Sequence, residues 1–165
     1  MNELTITHRS TVTEDQIDHL GHMNVRYYAV NARAATTSLL AALGWAEPGN
    51  ADVYDMYTRH HREQLLGAQL EVRSGVIAAD SNSIRLYHEL ANATSGELAA
   101  TFVYRVRTSS SAPLDHLDTV EVPAHGAPRS IDLDAELSAP PLAQVDQLGL
   151  AMRAPRTLGV DDMGG

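Results

Sequence analysis

The chain has 165 residues, 44% of them hydrophobic and 20% charged, with a formal net charge of −9 and no cysteine. This length suits one domain with a core of its own, the missing thiols exclude disulfides, thiolate metal sites and a cysteine nucleophile, and the acidic balance works against nucleic acid or an anionic membrane as partner. All 12 basic residues are arginine, which excludes lysine Schiff-base chemistry and a Walker-type lysine but leaves phosphate recognition open.

No apolar run is long enough to span a bilayer. The start, Met1-Asn2-Glu3-Leu4-Thr5, lacks the basic flank and apolar stretch of a secretory signal, so a cytoplasmic location is expected. From Leu4 to Val12 the apolar residues Leu4, Ile6 and Val12 share one parity, which predicts a first strand. A polar turn, Thr13-Glu14-Asp15-Gln16, leads into Ile17-Asp18-His19-Leu20-Gly21-His22-Met23-Asn24.

The period then changes. Val25, Tyr28, Ala32, Ala35, Leu39 and Leu43 recur at steps of three and four, which places them on one helix face, and Gly44 is a natural stop. Six alanines in this stretch allow a sheet to approach closely, so the helix is expected to be central and buried. Four segments with a period of two follow, at Val53–Gln64, Gln69–Ala79, Ser83–Ala93 and Glu97–Arg107, separated by short turns as in an antiparallel sheet.

The order of strand, long helix and four strands predicts an α+β domain over residues 1–108, a five-stranded antiparallel sheet wrapped around one helix. Composition shifts at Ser109-Ser110-Ser111-Ala112-Pro113, and six of the seven prolines lie from Pro113 onward. Residues 109–165 are therefore expected to form an irregular or loosely docked tail. One short helix is expected in it at Leu142–Leu150, after Pro140-Pro141.

Functional side chains are densest at the strand-to-helix turn, where Asp18, His19, His22, Asn24, Arg26, Tyr27 and Tyr28 fall together. The first N–H groups of a helix lack partners within it and carry partial positive charge, so a developing oxyanion would be stabilised there. A nearby carboxylate, Asp18, then acts on the polarised carbonyl, either by direct attack or by activating water. Asp18 also suits a turn and Asn24 a helix N-cap for backbone reasons alone, and Tyr28 lies on the apolar stripe. His60 and His61 are adjacent on a strand, so they should point to opposite faces. No metal site and no cofactor are expected, because no second ligand cluster has a characteristic spacing.

The run Asp18-His19-Leu20-Gly21-His22-Met23-Asn24-Val25-Arg26-Tyr27-Tyr28 resembles the Asp-x-x-Gly-His-x-Asn-x-x-Tyr signature of 4-hydroxybenzoyl-CoA thioesterase-like hotdog proteins. The Leu65-Leu66-Gly67 turn adds to the resemblance, which covers residues 4 to about 108. It implies a hotdog fold and hydrolysis of an acyl-CoA or acyl-carrier-protein thioester. It also implies Asp18, His22 and Asn24 as catalytic residues, Gly21, Val25 and Tyr28 as substrate-binding residues, and a homodimer or homotetramer with the site at a subunit interface. The chain departs from the pattern at Gln16, Val25 and Ala68, where the family often carries Asp, Asn and Asp. Two alternatives stand beside hydrolysis: a hotdog hydratase or dehydratase acting on acyl thioesters, and a non-catalytic acyl-CoA-binding hotdog protein.

Overall fold

The computed structural model describes residues 3–108, 114 and 117–128. The short helix expected at Leu142–Leu150 lies outside the described residues. Strand β1 (Thr5–Thr11) is followed by helix α1 (Arg26–Ala42), then by β2 (Val53–His60), β3 (Gln69–Ala79), β4 (Ser83–Asn92) and β5 (Leu98–Arg107). All pairings between these strands are antiparallel, in the spatial order β1-β3-β4-β5-β2, so β1 and β2 are the two edges. This is the expected hotdog architecture, one helix against a five-stranded sheet.

The helix forms where the step of three and four begins and stops where the sequence supplies a glycine. Gly44 takes φ 91°, a left-handed conformation open to glycine at little cost. Its N–H donates to Ala41 O at 3.0 Å while Trp45 N–H reaches back to Leu40 O at 3.0 Å, the paired bonds of a Schellman ending. Tyr28, Ala32, Ala35 and Leu39 are buried as the stripe predicts, and Leu40 joins them. Val25 does not: it is 59% exposed, because it sits at the helix start, beyond the last turn that the sheet covers.

The sheet meets this face with Leu70, Val72 and Val76 of β3, Ile84, Leu86 and Leu90 of β4, and Ala100, Phe102, Tyr104 and Val106 of β5. A polar seam crosses the apolar layer. Thr36 Oγ1 on the helix lies 2.9 Å from His88 Nε2, and His88 Nδ1 lies 2.6 Å from Ser74 Oγ. Thr36 spends its own hydrogen on Ala32 O, so it accepts from His88 Nε2–H and leaves Nδ1 to accept from Ser74. His88 is wholly buried, and burial pushes its imidazole down to about 3, so it is neutral.

Alternation along β3 to β5 predicts one buried face, yet Tyr87, Thr101 and Val103 on the reverse face are buried too. There residues 119–128 run back over the sheet: Val120 N–H donates to Val76 O at 2.8 Å, and Thr119 bridges Val76 in parallel. The second strand is also shorter than the alternation implies. Its ladder ends at His60, because His61 N–H and Arg62 N–H both turn onto Ala99 O, at 2.8 and 3.2 Å. Gln64 then turns inward, 3% exposed, with Asn92 Nδ2 donating to its side-chain oxygen.

Candidate active site

The turn before α1 is built by its own backbone. Asp18 N–H donates to His22 O at 2.9 Å and Gly21 N–H to Asp18 O at 3.0 Å, and Gly21 makes the reversal possible with φ 87°. Met23 N–H donates to Gln64 O at 2.8 Å and Asn24 N–H to Gln16 O at 2.8 Å. The turn is thus tied to the segment that follows β2, more than 40 residues later in the chain.

Asp18 is half-buried. Its Oδ1 accepts from Leu20 N–H at 2.9 Å, which fixes the carboxylate, and its second oxygen has no hydrogen-bond partner among the described residues. The carboxylate borders an open cleft of about 310 Å³ lined by Asp18, His22, Met23, Val25 and Tyr28 on one side and by His60, His61, Arg62 and Glu63 on the other. His22 Nε2 pairs across the cleft with Glu63 Oε2 at 2.7 Å. Of the residues expected at the site, Asp18, His22, Val25 and Tyr28 are brought together. Gly21 and Asn24 stand outside the lining.

Asn24 has a role that the side-chain geometry makes plain. Its Oδ1 accepts from Arg26 N–H at 3.0 Å, and its backbone oxygen accepts from Tyr27 N–H at 3.0 Å. Tyr28 N–H in turn goes to Val25 O at 3.1 Å. The free donors expected at the helix start are therefore mostly engaged. Val25, which already has helical dihedrals of φ −54° and ψ −30°, keeps an N–H with no acceptor among the described residues.

Tyr28 is 5% exposed, its hydroxyl donates to Arg62 O at 3.3 Å, and its ring meets His60 edge-on at 5.0 Å between centroids. Burial, more than the nearby carboxylates of Glu63 and Asp18, raises its phenol, so it stays protonated at neutral pH. Desolvation lowers both His60 and His61, which keeps these imidazoles neutral. The two rings diverge as adjacent strand residues should, His60 toward Tyr28 and His61 toward Thr101 Oγ1 at 3.4 Å. Arg62 is tied to Glu97 at 2.7 Å.

Sequence reasoning missed the far wall, above all Glu63. The signal was the polar run His60-His61-Arg62-Glu63 at a strand end, but only the fold shows that it faces Asp18. Among the described residues no three His, Asp or Glu side chains gather in a set that could hold a metal ion.

The thioesterase-like superfamily matches the chain over residues 12–112. The chain belongs to that family. The enzyme class expected from the turn, a thioester hydrolase, is the class the family name carries. Among similar proteins, a betainyl-CoA thioesterase of Pseudomonas aeruginosa is 25% identical over 160 residues, spanning 93% of this chain and 89% of the relative. A crystal structure of a candidate thioesterase from Pseudomonas putida KT2440 superposes with TM-score 0.60 at 22% identity, covering 98% of this chain and 97% of that one. A Staphylococcus aureus protein in complex with CoA superposes with TM-score 0.64 at 19% identity, covering 80% and 98%. These two structures show the shared fold. No helix of the described residues is long and apolar enough to cross a membrane.

Proposed function

We propose that this thioesterase-like enzyme hydrolyses acyl-CoA thioesters, with Asp18 as the carboxylate that acts on the thioester carbonyl. One observation carries the reading: Asp18 has one oxygen tethered to Leu20 N–H and the other free at a cleft that opens on the start of α1. In this reading the thioester oxygen lies toward the Val25 N–H, where the helix dipole adds partial positive charge. The free Asp18 oxygen either attacks the carbonyl carbon or takes a proton from the water that does. In both routes the C–S bond breaks as the tetrahedral intermediate collapses and the thiolate leaves, taking up a proton. When water attacks, the acid forms in that step; when Asp18 attacks, the mixed anhydride left on its carboxylate is cleaved by a water in a second step that frees the acid and restores Asp18.

His22, braced by Glu63, orients the water or substrate beside Asp18. Val25 and Tyr28 border the acyl group. Gly21 and Asn24 act one step back, Gly21 by permitting the turn and Asn24 by capping the helix that supplies the donor. Preference for CoA as the thiol is supported by the CoA-bound fold neighbour and by the relative named for betainyl-CoA. That relative also brings a cationic acyl group into consideration: two carboxylates, Asp18 and Glu63, line the cleft beside one arginine, Arg62, which is already paired with Glu97, and this balance suits a positive charge better than a negative one.

The site is completed, in this reading, by a second copy of the chain. Leu20, Val25, Leu65 and Leu66 are 57–66% exposed and lie in the segments that flank the open cleft, and among the described residues β1 and β2 each have a strand neighbour on one side only. Covering them in a homodimer or a further-assembled homotetramer removes apolar surface and edge strands from water. A cytoplasmic location accompanies a CoA substrate.

The test is thiol release from a panel of neutral aliphatic, aromatic, anionic and quaternary-ammonium acyl-CoAs, beside one acyl-carrier-protein thioester. Turnover of at least one CoA ester supports the reading. Binding of acyl-CoA with no thiol released from any member would replace it with the non-catalytic binder, and hydration of an enoyl-CoA without release would replace it with the hydratase.

A further inference from the structure

The hydrolytic reading leaves residues 119–128 without a role, although the chain has made room for them on both sides of the contact. Gly75 on β3 faces Val120, and a Cβ there would meet the Val120 methyls at 2.8 Å. Gly126 faces Tyr87 on β4, and a Cβ there would run into the Tyr87 hydroxyl and ring. Polar contacts then close the segment onto the sheet. Arg59 Nη1 donates to Ala124 O at 3.1 Å and to Ala127 O at 3.4 Å. His125 Nε2 lies 2.8 Å from Glu89 Oε2, the same oxygen that accepts from the Tyr87 hydroxyl at 2.8 Å. The His125 ring meets His61 edge-on, 6.3 Å between centroids.

Two of the residues gripped, Arg59 and His61, bracket His60, and His61 itself lines the cleft. This part of the sheet has little regular pairing of its own. Among the described residues strand β2 is an edge, paired with β5 alone, and its ladder stops at His60. The stretch from His60 to Glu63 that forms the far wall therefore projects past regular pairing, with both following amides crowded onto Ala99 O. A second neighbour on β2 would steady it, and residues 119–128 stand in for one through side chains.

We propose that residues 119–128 are a positioning strap for the far wall of the cleft, holding His60–Glu63 opposite Asp18 and His22 by gripping Arg59 and His61 from the reverse face of the sheet. The inference rests on the hydrolytic reading. Arg59, His125 and Gly126 are positioning residues, since none of them touches the reacting atoms. The strap contacts the far wall and not the turn that carries Asp18, so its loss should weaken substrate binding more than the chemical step.

The experiment uses the full chain with Gly126→Ala, whose added methyl collides with Tyr87, and His125→Ala, a milder lesion that serves if the first variant does not fold. Amide hydrogen exchange and thiol release are followed together on a CoA ester that the wild type turns over. The expected result is faster exchange in residues 119–128 and, with it, roughly tenfold faster exchange in residues 60–63 while β3 and β4 keep theirs. KM should rise roughly fivefold with kcat changed less than about twofold. Release of the strap with exchange in 60–63 and KM unchanged would overturn the inference, as would variants in which residues 119–128 stay as protected as in the wild type. If the wild type releases no thiol, the hydrolytic reading fails on its own, and the exchange arm still decides whether the strap holds the wall.

Discussion

Replacing Asp18 by asparagine isolates the carboxylate from the turn. The asparagine keeps an Oδ1 to accept from Leu20 N–H, as Asp18 does at 2.9 Å, and the backbone bonds of residues 18, 21 and 22 do not involve the side chain. What disappears is the charge and the free oxygen at the cleft. Loss of a positioned acid–base or nucleophilic group costs about 10²–10⁴ in rate, equivalent to about 3–5 kcal/mol of barrier. The melting temperature should move by less than about 3 °C, the shift that roughly 1 kcal/mol causes in a domain of this size. Asp18→Ala should lose activity equally and also forfeit the Leu20 tether, about 0.5–1.5 kcal/mol. Steady-state thiol release with thermal melts of both variants makes the comparison. An Asp18→Asn protein that stays folded and works within about threefold of the wild type would refute the reasoning, and reduce Asp18 to a residue that shapes a turn.

Acid sensitivity should trace to His88. Its folded pKa, about 3, lies below the ordinary value of 6.5, so between these values the unfolded chain binds a proton that the folded chain does not, and stability falls as pH drops. The slope from this one group is about 1.4 kcal/mol per pH unit; urea melts at several pH values should show it, and His88→Gln should flatten it even though the variant begins less stable. Leu40, fully buried between helix and sheet, should cost about 2–5 kcal/mol when cut to alanine, read from the urea midpoint, and a loss under about 1 kcal/mol would mean that the helix packs otherwise than described.

Much of this molecule can be read directly from residue spacing. The stripe Tyr28, Ala32, Ala35, Leu39 announces the helix, Gly44 its end, and the alternating segments the sheet, because helix and strand periods are local properties. The turn from Asp18 to Asn24 is legible for the same reason: its polar side chains are consecutive. What escaped is non-local. Val25 continues the apolar step but sits above the last covered turn. Glu63 meets His22 only because Met23 N–H bonds Gln64 O. The burial of Tyr87 and Val103 depends on residues 119–128, whose composition marks them as irregular without saying where they lie. Even the donors at the helix start had to be counted bond by bond, since Asn24 takes up some of them.

The seam of Thr36, His88 and Ser74 has a consequence for how this fold can change. Apolar layers tolerate sliding by one methyl for another, but a neutral imidazole held at both nitrogens accepts a single setting of helix against sheet, and any slip strands a buried donor and acceptor at once. The helix start, and with it the turn that carries Asp18, therefore inherits its place from a residue deep in the sheet. Mutations that reshape the cleft are thereby steered outward, to Val25, which lines it and is 59% exposed, where substitution leaves the tether of Asp18 to Leu20 N–H untouched.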